Sequence, residues 1–353
     1  MLRRYGLPGE PVACERVAQG LLNRGYRLTT TGGHWFLKHH LDGDSPAIAR
    51  QHAATVRLGA LALPVAPPLA DTDGRTTVVL DGHCYALHPW VEGRHRYGSQ
   101  LTGAGSARLG NLLGRVHTAL EQIMPPAAHV PRPASGPAGP APAGRLRLPG
   151  QRRPTYPAGP PAQESAEPAD TYALIDELLA RVRRRRAPDS FDALAEHRLT
   201  ERRALLRQHA HRRPDPGEAP RPGWVHGDFH PLNLIYRGTE PAAIVDWDRL
   251  GVQPRAEEAV RAAAIFFVRP RGTLDLAKVR AYARGYRAAT GAGQDELAAA
   301  VHRVWWERLN DFWMLRWRYE LHDGRADDQF PAAAALAVWW TTRYEDVRQA
   351  FTG

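Results

Sequence analysis

"VHGDFHPLNLIY", residues 225–236, places two histidines, an aspartate and an asparagine inside an otherwise apolar run. A buried strand should carry few ionisable groups, because each costs desolvation unless it is paired. The spacing sorts them. Asp228 and Asn233 lie five residues apart with Pro231 between them, and Asp246 follows thirteen residues later in "AAIVDWDRL". Two short strands joined by the turn "RGTEP" form a hairpin that brings Asn233 and Asp246 to one end of a sheet. Asn and Asp oxygens without thiolates suit Mg²⁺, a hard cation that keeps waters and completes its shell with substrate phosphates. Asp228 is then left to take the proton of an attacking hydroxyl, as phosphoryl transfer to an alcohol requires.

Two other readings stand beside this one. His226, Asp228 and His230 alternate along the strand and could share one metal, as in a hydrolase, although no further His or carboxylate sits at zinc or iron spacing. In a purely structural reading the histidines cap a turn and the aspartates end strands, which leaves the spacing to "VDWD" to chance.

"HGDFHPLN" followed by "VDWD" resembles the catalytic and metal loops of the aminoglycoside phosphotransferase family, related to choline and homoserine kinases and more distantly to protein kinases. The resemblance implies a bilobal, protein-kinase-like α+β fold. Residues 1–92 would form a small antiparallel nucleotide-binding lobe with one helix, and 93–353 a mostly helical lobe with the catalytic loop and acceptor pocket. It implies a catalytic base at Asp228, metal ligands at Asn233 and Asp246, an auxiliary metal or structural role for Asp248, and a loop-bracing role for His226. The implied activity is ATP- and Mg²⁺-dependent transfer of the γ-phosphate to a hydroxyl of a small molecule, an aminoglycoside-like antibiotic or an amino alcohol, with GTP left open as donor.

The N-terminal sequence fits that lobe. "YRLTT", a Gly pair and "HWFLK" read as a hairpin over 26–38, "PAIARQHAATVRLGALA" as a helix over 46–62, and "TTVVL" and "CYALHPW" as two further strands. Lys38 ends the second strand, where the family's phosphate-binding lysine sits. It is one of two lysines, the other being Lys278, so arginine supplies 45 of the 47 basic residues (47 − 2). Arginine cannot place the same compact point charge on a phosphate. The family's helix glutamate is missing: Gln51 takes its place, so either Lys38 is less firmly oriented or Asp42 or Asp44 substitutes. Pro89, Trp90 and Val91 resemble the linker whose backbone holds the adenine edge.

The chain carries a net charge of +10, and residues 125–225 hold 17 Arg against 11 Asp and Glu, or +6 of that excess. The run "RVRRRR" (181–186) reads as a solvated helix face rather than a nucleic-acid site. Residues 125–168 are so rich in Pro, Ala and Gly that they read as a disordered insertion. Two cysteines, Cys14 and Cys84, and no secretory or membrane segment suggest a cytoplasmic protein. Helical patterns cover approximately 275–290, 295–322 and 331–350. Six tryptophans there, with Glu307, Asp311, Glu320, Asp323, Asp327 and Asp328, suggest either core or a pocket for a cationic acceptor. The interval from Asp246 to the next helix is too short to hold a peptide. That favours a small hydroxylated acceptor over a protein; oligomeric state is not legible. Gln51 keeps a second reading open, a kinase fold that binds nucleotide or a partner without turnover.

Overall fold

The computed structural model describes residues 2–17, 23–41, 44–126 and 165–353. The expected insertion at 125–168 falls mostly outside the described residues. Its last residues are tied down: the Ser165 carbonyl accepts from Arg213, the Ala166 carbonyl accepts from Trp306, and Pro168 opens a helix.

Five strands form the N-terminal sheet: β1 (Pro11–Val17), β2 (Arg24–Thr30), β3 (Gly33–His40), β4 (Val78–Leu80) and β5 (His83–Pro89). Their order is β1-β2-β3-β5-β4, and every neighbouring pair is antiparallel. β2 and β3 turn at Thr31–Gly32, where the Thr30 hydroxyl accepts from the Gly32 N–H and donates to the Pro8 carbonyl. Alternation puts Leu28, Leu37, Val78 and Leu87 with Tyr5 in a small apolar cluster. The helix α1 (Ser45–Ala60) is capped by the Asp44 carboxylate on the Ala47 N–H. Its Ala54 and Leu58 belong to the large core of the rest of the chain, so this helix bridges the sheet to the helical part.

That core is built from α2 (Gly103–Ile123), α3 (Pro168–Arg183), α4 (Ser190–His209), α5 (Arg255–Phe267), α6 (Leu276–Thr290), α7 (Gln294–Asn310), α8 (Trp313–Glu320), α9 (Phe330–Thr342) and α10 (Tyr344–Thr352). The most extensive helix packing joins α2 to α6. Glycines permit it: a Cβ on Gly110 would collide with the Tyr282 carbonyl, and one on Gly285 with that of Ala107. Between α4 and α5 lie two ribbons, β6 (Pro222–Val225) with β9 (Gly251–Pro254), and β7 (Leu234–Arg237) with β8 (Glu240–Ile244). The second ribbon is held from both sides. Arg94 exchanges two backbone hydrogen bonds with Tyr236, and the Ile244 N–H donates to Pro64 at 2.7 Å.

The antiparallel sheet, its helix and the helical remainder match the α+β, kinase-like expectation. Several boundaries differ. β1 is an exposed edge strand with no apolar alternation and gave no strand signal. α2 starts at Gly103, where the Thr102 hydroxyl caps the Gly105 N–H. The single helix expected over 295–322 breaks at Asp311, whose carboxylate caps Trp313, and the one over 331–350 breaks at Arg343. Trp305, Trp306 and Trp340 are essentially fully buried, so these three are core.

The α2/α6 contact is testable. Gly110→Ala should cost roughly 1–3 kcal/mol by overpacking, whereas Gly103→Ala, with nothing within 4 Å of the new methyl, should leave stability unchanged or slightly raised. Urea unfolding midpoints of the two variants measure this; equal midpoints contradict it.

Candidate active site

The loop that carries Asp228 leaves β6 at Val225 and turns at Gly227, whose φ of +84° and contact with the Arg249 carbonyl exclude a side chain. His226 is fully buried. Its Nε2 donates to the Val245 carbonyl at 3.0 Å, and its Nδ1 accepts from the Asp228 N–H at 3.2 Å, which fixes the tautomer. Burial holds the ring below its usual pKa, hence neutral. It therefore joins the residue before Asp246 to Asp228 through hydrogen bonds.

Glu258 on α5, which sequence reading passed over, holds the loop from below. Its Oε2 accepts from the His226 N–H at 3.2 Å, its Oε1 from the Gly227 N–H, and His117 of α2 meets Oε2 at 2.6 Å. Tyr286 of α6 completes the row, its hydroxyl 3.0 Å from His117 Nδ1. Burial works to raise the Glu258 pKa, but His117, His226 and the Gly227 N–H outweigh it and hold the carboxyl below its usual value. The only hint in the sequence was an acid in the first turn of an apolar helix.

Asp228 is about a third exposed, with His230 Nε2 at 3.7 Å and Arg249 Nε at 3.8 Å. Burial opposes its ionisation, but His230 and Arg249 keep it below the usual carboxylate range. His230 thus faces Asp228 while its Nδ1 accepts from the Leu232 N–H. Both nitrogens of His226 are engaged with backbone groups, so the shared-metal hydrolase reading fails. Among the described residues no group of three His, Cys, Asp or Glu is set to hold a metal.

Asn233 ends a single 3₁₀ turn, Pro231–Asn233, and its NH₂ donates to the Asp228 carbonyl at 2.8 Å. Its amide oxygen is then the atom available to a cation. Asp246 follows β8 with φ 60°, ψ 66°, a left-handed conformation that non-glycine residues adopt at a cost of order 1–3 kcal/mol. The Val245 N–H donates to the Asn233 carbonyl at 2.9 Å, so the hairpin sets Asn233 and Asp246 at one end. Two protein oxygen donors, one on a carboxylate 42% exposed, fit a hard cation that brings its own waters and phosphate oxygens.

Lys38 reaches across from β3 and donates to Asp246 Oδ1 at 2.8 Å and Asp248 Oδ1 at 2.5 Å. Burial lowers its pKa, but the two aspartates outweigh that and hold it above its ordinary value. The carboxylates titrate as a pair. Burial resists the ionisation of Asp246, yet Lys38 brings it down to about 2; burial, with the Asp246 charge, pushes Asp248 up to about 6 against Lys38. Gln51 is not placed as a partner for the ammonium: its amide donates to the Asp248 backbone carbonyl at 3.1 Å. Asp44 caps α1, and Asp42 lies outside the described residues. Pro89, Trp90 and Val91 leave β5 half-buried, with the Arg27 guanidinium over the Trp90 ring.

The C-terminal acids are largely neutralised. Glu307 receives two hydrogen bonds from Arg261 and one from Arg308; Glu320 is paired with Arg316, Asp323 with Arg325, and Asp327 with Arg318. The basic run is paired likewise, Arg181 with Glu177, Arg183 with Glu196 and Arg185 with Asp192.

A sequence model of the phosphotransferase enzyme family matches residues 13–292. No curated protein matches the chain significantly. Among solved structures, the chain is similar to a microcompartment-associated aminopropanol kinase at 16% identity, covering 99% of this chain and 97% of that one, with a TM-score of 0.58. It is also similar to the AMP-bound complex of a spectinomycin phosphotransferase, at 13% identity, 96% coverage of each chain and a TM-score of 0.59. An amicoumacin kinase in complex with AMP-PNP, Ca²⁺ and Ami aligns at 17% identity over 96% of this chain and 89% of that one, with a TM-score of 0.51. At such identities these likenesses speak for the fold.

Because the Glu258 pKa is depressed, the stability it contributes is complete above the unfolded glutamate value of about 4.3 and is lost as pH falls through the lower folded value. Glu258→Ala should therefore cost about 3–5 kcal/mol at pH 7, the scale for stripping a buried charge network of one partner. Thermal unfolding from pH 7 to 3 should show a shallower acid-side loss in the variant than in the parent chain.

Proposed function

The chain belongs to the phosphotransferase enzyme family, and from that premise we propose that it moves the γ-phosphate of ATP, with Mg²⁺, to a hydroxyl of a small molecule. The observation that carries this reading is the convergence of Asp228, Asn233, Asp246 and Lys38 from three separate segments on one end of the β7/β8 hairpin. Residues 1–92 and 93–353 serve as the two lobes around it.

In this reading Asp228 is the base. Its carboxylate is ionised at neutral pH, exposed enough to reach, and directed by a loop that His226 and Glu258 immobilise. It accepts the hydrogen of the acceptor hydroxyl and orients the oxygen for in-line attack. Asn233 and Asp246 hold the metal, which when bound shields the phosphate oxygens. Lys38 gives an N–H to a phosphate oxygen. Pro89 to Val91 offer backbone groups to the nucleotide base. His226 and Asp248 support the loop and the lysine.

The acceptor is small, because α5 begins at Arg255, nine residues after Asp246 (255 − 246), which leaves no segment to carry a peptide. A strongly cationic acceptor draws little support from the C-terminal acids, since five of the six meet arginine within 4.0 Å. The inactive-kinase alternative loses its motive, because Lys38 has carboxylate partners despite Gln51.

Asp228→Asn should lower turnover by about 10²–10⁴, the range for removing a general base, while ATP binding and the unfolding midpoint stay close to those of the parent. Coupled ATP-consumption assays across hydroxylated amines, sugars and nucleosides, followed by mass detection of the product, test both the reaction and its acceptor. Unchanged turnover in the variant would overturn the role of Asp228.

A further inference from the structure

α1 offers Lys38 no carboxylate, yet the ammonium is held by two. The pair is not equivalent. Asp246 is 42% exposed and gives Lys38 one oxygen. Asp248 is 16% exposed, and its acceptors are committed: Oδ1 to Lys38, Oδ2 to the Asn23 NH₂ at 2.5 Å, and the backbone carbonyl to Gln51. Asn23 is itself fixed, because its Oδ1 accepts the Leu41 N–H just past β3 at 2.9 Å. Four segments therefore meet at one residue: the approach to β2, β3 and its end, α1, and the single 3₁₀ turn Trp247–Arg249 that carries it.

We infer that Asp248, clamped by Asn23 and Gln51, is the positioning residue for Lys38, supplying from the metal loop the charge that α1 lacks and leaving Asp246 to the cation. The chemistry separates the two aspartates. A divalent cation competes with an ammonium for carboxylate oxygens, and the carboxylate whose oxygens already serve Lys38 and an amide gives them up less readily. When metal and nucleotide enter, the Lys38–Asp246 bond is exchanged for a phosphate contact and the Lys38–Asp248 bond persists. Gln51 then has a positive use. An acid at that position would crowd a third negative charge against Asp246 and Asp248, whereas its amide steadies the carbonyl of Asp248.

The inference rests on the phosphotransferase reading for its purpose, but its geometry can be tested without nucleotide. Lys38 and Lys278 are the chain's two lysines, so an amine-reactive label read by peptide mass spectrometry reports on Lys38 with Lys278 as internal reference. Asn23→Ala changes no charge and should raise Lys38 labelling roughly tenfold, the size expected from one charge-assisted hydrogen bond; Asp248→Asn should do the same. In parallel, Mg²⁺ titration of ATP binding should show a half-saturating concentration within about twofold of the parent for both variants, and a rise of roughly tenfold for Asp246→Asn. If Asp248→Asn leaves Lys38 protected and raises the Mg²⁺ requirement as Asp246→Asn does, Asp248 is a second metal ligand and the inference is wrong. If Asn23→Ala leaves labelling unchanged, the clamp is wrong. A parent chain that binds no ATP would instead sink the phosphotransferase reading, with the labelling result still deciding the lysine's partner.

Discussion

The site depends on one buried carboxylate. Glu258 takes the N–H groups of His226 and Gly227 and the His117 ring into a space closed to solvent, and the position of Asp228 follows from that grip. A carboxylate moved from water into such a place loses several kcal/mol of hydration. Only a full set of donors offsets this, and the donors come from the catalytic loop and α2, with α6 behind through Tyr286. The close α2/α6 packing permitted by Gly110 and Gly285 is therefore part of the catalytic loop's foundation, although it lies well away from Asp228 in sequence.

A second constraint acts from the other side. Three aspartates crowd the mouth of the hairpin, and the compact charge that meets two of them is Lys38. Asp228 is kept ionised by His230 and Arg249, and the Asp246–Asp248 pair by the lysine. The sheet thus needs a rigid strand to deliver that ammonium. β3 does so by pairing with β2 over 33–39 and with β5 over 35–40. The same bond ties the two parts of the chain together, so the arrangement of the phosphate-handling groups and the docking of the sheet on the helical part are one electrostatic problem.

What the sequence made legible was local. Asp228, Asn233 and Asp246 sit within a span whose spacing is set by one turn and one hairpin, so their convergence follows from strand geometry alone. The N-terminal hairpin and α1 were equally readable from apolar periodicity and turn residues. Glu258, Asn23 and His117 were not, because each acts on a residue 31 or more positions away and belongs to an element whose own pattern is ordinary. Gln51 could be recognised as a missing acid, but its compensation lay 197 positions away at Asp248. The helix breaks at Asp311 and Arg343 were hidden by apolar periodicity continuing through them. A side-chain cap decides the first, and periodicity carries no trace of it.

The acids of the C-terminal helices show why composition misleads about charge. Residues 305–328 look mildly acidic and aromatic, which suggests a seat for a cation. The potential a ligand meets depends on where the arginines point. Arg316 with Glu320 is an i,i+4 pair that the sequence itself discloses, but Arg261 with Glu307 spans 46 positions and is bidentate. Arg318 serves Asp189 and Asp327 while lying over the Phe191 ring, so it neutralises two segments and packs on one of them. In a chain whose basic residues are nearly all arginine, the planar fork suits such shared duty. Acidic side chains outside the catalytic hairpin are largely absorbed into structural pairs. At the hairpin, Asp228, Asn233 and Asp246 present oxygen donors from one end, where a phosphate-bound cation would need them.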